Sequence, residues 1–333
     1  GMTDSCDILV LGGGPAGSAS ATMLSDAGYK VIILEREKFP REHVGESLLP
    51  ASIPILEQIG VMPEIERAGF VTKHGATLVW GADPEPWSWY FADDPGQRPT
   101  SFQVVRSEFD DILLKNASKH GVEVIEEAQV LDVIFENERA TGAVYLHEGS
   151  EKQVSARFVV DASGQAALLS RKLGLLEWDT HFNNLAVYGY FKNARHLDSP
   201  NDGNIFIEAF EHGWLWKIPL HIGMDSVGAV VDKDVAHERL RELGSDGFLL
   251  KQIEDAPHVT ELLENAELVG ESKVVRDWSY KSTQFSGDGY ILVGDAACFV
   301  DPLFSSGVHL ALGSASLAST YVQTVLKDPL SRS

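Results

Sequence analysis

Cysteine is scarce in this 333-residue chain: only Cys6 and Cys298 occur, near opposite ends and in no CxxC or metal-type spacing. That excludes a disulfide framework and a thiolate metal site, so no metal is expected and a reducing, cytoplasmic setting follows. Long apolar runs are missing too, since no stretch reaches the roughly 18 residues that a membrane span needs. The N-terminus joins no basic segment to an apolar one, so no signal peptide is read there. Positive charge is sparse, with 27 Lys and Arg against 49 Asp and Glu, a net charge of −22. Nucleic acid and anionic membrane both favour a basic face, and neither is an expected partner. The acids are spread along the chain rather than gathered in a tail, which reads as a solvated surface. Internal repeats and low-complexity segments are also absent. Gly1 ahead of Met2 reads as an added residue, and the ending "VLKDPLSRS" suggests a C-terminal continuation.

What is present begins with "CDILVLGGGPAGSASATMLSDAGYKVIILER". Ile8 to Leu11 form an apolar run that reads as a buried parallel strand. Gly12, Gly14 and Gly17 follow in GxGxxG spacing, then a helix of small residues to Ala27, a Gly28 stop and a second strand from Val31 to Leu34, ending at Glu35. Each position has a mechanical reason. Gly12 makes the tight turn, Gly14 lets backbone approach a pyrophosphate, and Gly17 lets helix pack on strand. The helix start offers free N–H groups to phosphate, and Glu35 can accept from ribose hydroxyls. Strand, glycines, helix, strand and acid in that order point to a dinucleotide.

Two later segments specify which one. "FVVDASGQAALLSRKLG" is a strand ending in Asp161 with Gly164 three residues on, and "GYILVGDAACFVDP" is a strand followed by Gly294-Asp295. With these motifs the chain resembles the flavoprotein monooxygenase superfamily. That resemblance implies FAD contacts at Gly12, Gly14, Pro15, Ala16, Gly17, Glu35, Arg36, Ser47, Arg106, Asp161, Gly164, Asp295 and Gly307. Arg106, in "VVRSEFDDILL", matches the superfamily's arginine at the start of a helix lining the cofactor; read alone, it is a surface helix-start arginine.

Three further signals resemble one branch, the flavin-dependent halogenases. In "GWLWKIP", Trp214 and Trp216 are spaced to share one face of a strand, and with Ile218 and Pro219 they match that branch's W-x-W-x-I-P signature. The resemblance implies a wall between flavin and organic substrate; without it the pair reads as core. Lys73 follows "VGESLLP" (Gly45, Glu46, Ser47) as the branch's catalytic lysine does, although a single lysine is ordinarily a surface charge. "DPLFSSGVHLALGSASLAS" places Ser306 and Gly307 at a helix start, where the resemblance implies chloride on backbone amides; Ser305 is equally a helix cap. Tryptophan-chlorinating members carry a glutamate where this chain has Phe304, which points to the phenol and pyrrole branch. His309 reads first as a packed helix histidine and second as a base near the flavin.

The fold expected is α/β: a doubly wound, Rossmann-like FAD domain from residues 1–75, 100–175 and 285–333, with an antiparallel-sheet substrate domain from 76–99 and 176–284. The function implied is FADH2-dependent halogenation with O2 and chloride or bromide, through a flavin C4a-hydroperoxide and a hypohalous acid steered by Lys73. A separate flavin reductase is the expected partner, because only one dinucleotide fingerprint is present. The substrate is expected to be a small electron-rich aromatic, free or tethered to a carrier protein. The alternatives are an FAD-dependent aromatic hydroxylase, a saturating isoprenoid-type reductase and a flavin-binding protein without turnover.

Overall fold

A computed structural model describes residues 4–41, 45–80, 85–179, 183–276, 279–299 and 307–327. Apolar stretches too short for helices give its parallel core. β1 (Asp4–Leu11), β2 (Val31–Leu34), β8 (Glu123–Ile125), β11 (Ser150–Asp161) and β20 (Tyr290–Leu292) align in the order β20-β11-β1-β2-β8 with every pairing parallel. The short β19 (Ser286–Gly287) extends one edge, and the hairpin of β9 (Gln129–Glu136) and β10 (Arg139–His147) joins through β11. Ile8, Val10, Ile33 and Val160 on this sheet are 0% exposed, as expected of strands covered on both faces. Helices α1 (Pro15–Asp26), α4 (Arg106–Lys119) and α8 (Gly307–Lys327) cover one face through Ala21, Leu24, Leu114, Ala318 and Val322. The minor helices α2 (Ile53–Gln58), α3 (Met62–Ala68) and α5 (Leu168–Lys172) lie in the connections.

A second, seven-stranded sheet has the order β17-β13-β16-β15-β14-β5-β6. Its strands are β5 (Gly75–Val79), β6 (Trp87–Tyr90), β13 (Asn184–Lys192), β14 (Ile205–Phe210), β15 (Gly213–Pro219), β16 (Met224–Asp232) and β17 (Glu267–Arg276). The segments "LAVYGYF", "IFIEAF" and "SVGAVVD" form β13, β14 and β16 of this sheet. One face, with Val187, Leu215 and Val227, packs on α6 (Lys233–Glu254), which is interrupted at Gly244, and on α7 (Pro257–Leu262). The other face is left for the site.

Two three-stranded sheets complete the set. One holds β12 (Leu176–Asp179), β18 (Ser279–Ser282) and β21 (Cys298–Phe299). In the other, β7 (Ser101–Val105) runs between β3 (Gly45–Ser47) and β4 (Val71–Lys73). The parallel sheet with its helices and a second sheet are the α/β architecture the sequence led us to expect; the second sheet is antiparallel except at β14 and β5, which pair in parallel because the chain reaches β14 from elsewhere rather than by a hairpin. No helix among the described residues is long and apolar enough to cross a membrane.

Candidate active site

The loop after β1 is shaped by close backbone approach. Gly12 has φ +100, and a Cβ there would sit 2.3 Å from the Ala162 carbonyl oxygen. A Cβ on Gly17 would meet the Gly12 carbonyl oxygen at 1.9 Å, so helix and strand touch only because both residues are glycine. Gly14 caps α1 without a side-chain hydrogen bond, Pro15 follows, and the first turn carries no acid. The leading N–H groups and the positive end of the dipole therefore face outward, in a cradle suited to a pyrophosphate. Glu35 at the end of β2 is 6% exposed. Its Oε1 accepts the Gly13 N–H at 2.9 Å and its Oε2 the Glu37 N–H at 2.7 Å, so it holds the loop as well as facing the site.

This loop opens into a cavity of about 1120 Å³ whose far wall is the seven-stranded sheet. Of the expected cofactor residues, Gly12, Gly14, Pro15, Ala16, Glu35, Arg36, Arg106, Gly164, Asp295 and Gly307 line it. Gly17, Ser47 and Asp161 stand behind that lining. Asp161 is fully buried and accepts the Ser163 and Leu169 N–H groups at 3.0 and 2.8 Å, fixing the loop that presents Gly164. Ser306, with Ser305 and Phe304, lies outside the described residues. Gly307, the first residue of α8, is within them.

Charge at the cofactor end is organised around Asp110, which the sequence did not single out. Arg106 grips it through Nε at 2.7 Å and Nη2 at 2.9 Å, donates to Glu46 at 3.0 Å, and shares Asp110 with Arg41 at 2.9 Å. Burial opposes the Arg106 charge, but Asp110 and Glu46 outweigh it and raise its pKa further. Burial pushes the Asp295 carboxyl up to about 6, against the pull of Arg106. Arg41 also lines the cavity; one arginine in "FPREHVGES" carries no sequence signal for this.

Trp214, Trp216 and Ile218 share one face of β15 and line the same cavity, while Leu215 and Lys217 are buried on the other side. The two indole centroids are 6.0 Å apart. Trp216 lies flat across Gly228, its cross-strand partner on β16, where a Cβ would come within 2.2 Å of the ring. Its Nε1 donates to Ser226 Oγ at 3.4 Å, and Tyr188 packs beside it at 6.4 Å. On this wall Leu78, Trp80, Ala186, Ile205, Ile207 and Val275 add to the apolar surface, and among the described residues no charged side chain faces the cavity from the sheet.

Lys73 is outside the cavity lining. It is 3% exposed, donates to Ser47 Oγ, and lies 5.5 Å from the Phe91 ring centroid. Burial pulls its pKa down to about 7, opposed by Glu46. That amine therefore changes charge near neutrality. His309, on α8, meets Ser52 Oγ at 3.3 Å and does not face the cavity, in keeping with the packed reading.

A dinucleotide cradle and a paired-indole wall in one cavity is what the halogenase resemblance demands, and comparison with known proteins decides the family. The family model described as tryptophan halogenase matches residues 7–100 and 95–329. The chain belongs to the flavin-dependent halogenase family. Tryptophan 2-halogenase of Chondromyces crocatus is 36% identical over 329 residues, covering 98% of this chain and 62% of its own. The 1H-pyrrole-2-carbonyl-[peptidyl-carrier protein] chlorinase of Pseudomonas fluorescens is 37% identical, covering 97% of this chain and 76% of its own. Among solved structures, the myxobacterial chondrochloren halogenase, an FAD-dependent halogenase, superposes with a TM-score of 0.89 at 44% identity, covering 97% of this chain and 76% of that one. The chain thus spans under two thirds of some halogenases it matches, 62% for the Chondromyces enzyme and 63% for a Pestalotiopsis fici halogenase.

Proposed function

We propose that this halogenase-family chain uses FADH2, O2 and chloride or bromide to halogenate an electron-rich aromatic substrate. The observation that carries the proposal is the shared cavity: Trp214 and Trp216 face the space onto which the α1 N-terminus, Gly164 and Asp295 open. Reduced FAD with O2 and a halide supplies a hypohalous acid, in the balance FADH2 + O2 + X⁻ + H⁺ → FAD + HOX + H2O. The Gly12–Gly17 loop and the start of α1 hold the pyrophosphate; Glu35, Arg36 and Arg106 flank it. Asp295 receives ribityl hydroxyls, and Gly307, with Ser306, offers backbone N–H groups to the halide. The indoles keep an aromatic ring from direct oxidation at the cofactor. Lys73 binds the hypohalous acid and presents its halogen to the ring, in the step ArH + HOX → ArX + H2O.

The preference for a phenol or pyrrole is supported by Phe304, which stands where tryptophan-chlorinating members carry a glutamate. The pyrrole chlorinase of Pseudomonas fluorescens acts on a carrier-bound ring, and we extend that option, free or tethered, to this chain. A separate flavin reductase supplies FADH2, as is general in the family. The test supplies reduced FAD, O2 and bromide with a panel of phenols, and looks by mass spectrometry for the bromine isotope pair. Lys73→Ala is expected to keep FAD and O2 consumption while losing that product. A product heavier by one oxygen atom, with no halogen, would establish the aromatic hydroxylase instead.

A further inference from the structure

The surroundings of Lys73 form a second polar site, distinct from the cofactor cavity. Ser47 on β3 pairs with Gln103 of β7, and Lys73 on β4 pairs with Ser101. Residues directly opposite in a ladder share a face, so all four side chains project to one side of the three-stranded sheet. The alternate face, with Val104 and Phe102, packs on α1, α4 and α8. The two outer strands stand about 10 Å apart, so Lys73 reaches Ser47 only by laying its side chain across β7. It passes over Ser101 and Gln103.

Those two residues are 0% exposed, and Ser101 Oγ and Gln103 Oε1 have no hydrogen-bond partner among the described residues. The amide of Gln103 is oriented by its other end, which donates to the Gly203 carbonyl at 3.0 Å. The next residue, Asn204, donates to Thr77 Oγ1 at 3.2 Å and Asn201 Oδ1 at 3.1 Å, and its own buried Oδ1 has no hydrogen-bond partner among the described residues. Each buried, unpaired oxygen is costly unless something donates to it. All three orphans can accept, and the two amide oxygens can do nothing else. An anion is therefore the wrong occupant, because carbonyl oxygens would face it. A small neutral molecule with an O–H group fits.

We propose that Ser101, Gln103 and Lys73 enclose a chamber for a small neutral O–H donor: water at rest and hypohalous acid during turnover. Lys73 donates an N–H to the guest's oxygen, and the guest's O–H donates to Ser101 Oγ or Gln103 Oε1. No bond is made or broken, so the guest is held with its halogen free to meet the substrate. The water half follows from the unpaired oxygens alone; the hypohalous acid half rests on the halogenase reading.

Two arms test it with Ser101→Ala, which removes one acceptor without adding bulk, and Gln103→Met as the second variant. In the FAD-free protein a water-filled chamber loses a partner, so Tm is expected to fall and one ordered water to vanish from a high-resolution crystal structure. A dry chamber gains from losing an orphan hydroxyl, so an unchanged or higher Tm with no water in the wild type overturns the resting half. In the FAD-loaded enzyme fed by a reductase, with bromide, a phenol and a soluble hypohalite scavenger, the ratio of brominated phenol to brominated scavenger is expected to drop on the order of tenfold. An unchanged ratio in both variants overturns the turnover half. If the wild type brominates neither, the halogenase reading falls and takes the hypohalous acid with it, while the first arm still decides for or against water.

Discussion

A Cβ at position 228 would lie 2.2 Å from Cζ2 of Trp216 and 2.4 Å from Cη2, and a rigid indole cannot bend away from it. Gly228→Ala is therefore expected to push Trp216 off its seat and cut halogenated product per reduced flavin on the order of tenfold, with FAD still bound. In a Trp216→Phe background the same change should add little, because the two residues act through one contact; a double-mutant cycle on product yield measures this. Lys73 allows a linkage argument of definite sign. Its folded pKa of about 7 lies below the ordinary 10.5 because of burial. Between those values the unfolded chain binds the extra proton, so stability rises with pH; the cost is complete below about 7 and gone near 10.5. Lys73→Met is thus expected to raise stability by about 3–5 kcal/mol at pH 6, an advantage that shrinks as pH climbs above 7. Urea titrations at three pH values check it. That the two indoles share a face was legible from their spacing, while their reading as a wall came from the family resemblance and not from the spacing. Gly228 was not legible, because a strand glycine twelve residues downstream says nothing of which ring will cover it.

Strand β15 is pinned from both sides. While the Trp216 indole rests on Gly228 and Ser226, Lys217 reaches back to Asp225 of β16 at 2.7 Å, both side chains being 4% exposed. His196 meets the other Asp225 oxygen at 2.9 Å. Asp225→Ala would strand a buried ammonium, and the expected cost is about 3–5 kcal/mol, read as a lower urea midpoint at unchanged slope. The joint change with Lys217→Met should recover most of it. Elements with strong periodicity were readable: β1, α1 and β2 lie within a few residues of the expected spans, and the alternating strands fell into one sheet. The sheet of β3, β4 and β7 was not, since strands of three to five residues carry too little pattern to be distinguished from loop. The Lys73 floor was hidden for that reason. Its polar residues look like loop residues until the ladder aligns them.

Across the whole molecule the excess of acids is a standing repulsion, 49 Asp and Glu against 27 Lys and Arg. Screening it should favour the compact state, so Tm is expected to rise as NaCl is raised from about 10 mM toward ~0.15 M, where the Debye length contracts to about 8 Å. A flat or falling Tm in calorimetry would show that local ion pairs such as Arg106–Asp110 outweigh the net field. The α/β class was visible in the sequence, but the cavity between the parallel sheet and the seven-stranded sheet depends on tertiary packing that no single segment encodes. β7, in its own sheet between β3 and β4, links the two sites: Ser101 is the cross-strand partner of Lys73, and the strand runs directly into Arg106 on the cofactor side. Five steps of extended chain fix that span at about 17 Å, so β7 serves as a ruler. Side-chain changes along the wall alter what fits without altering the distance. One inserted residue would turn Ser101 and Gln103 to the opposite face and lengthen the gauge in the same stroke.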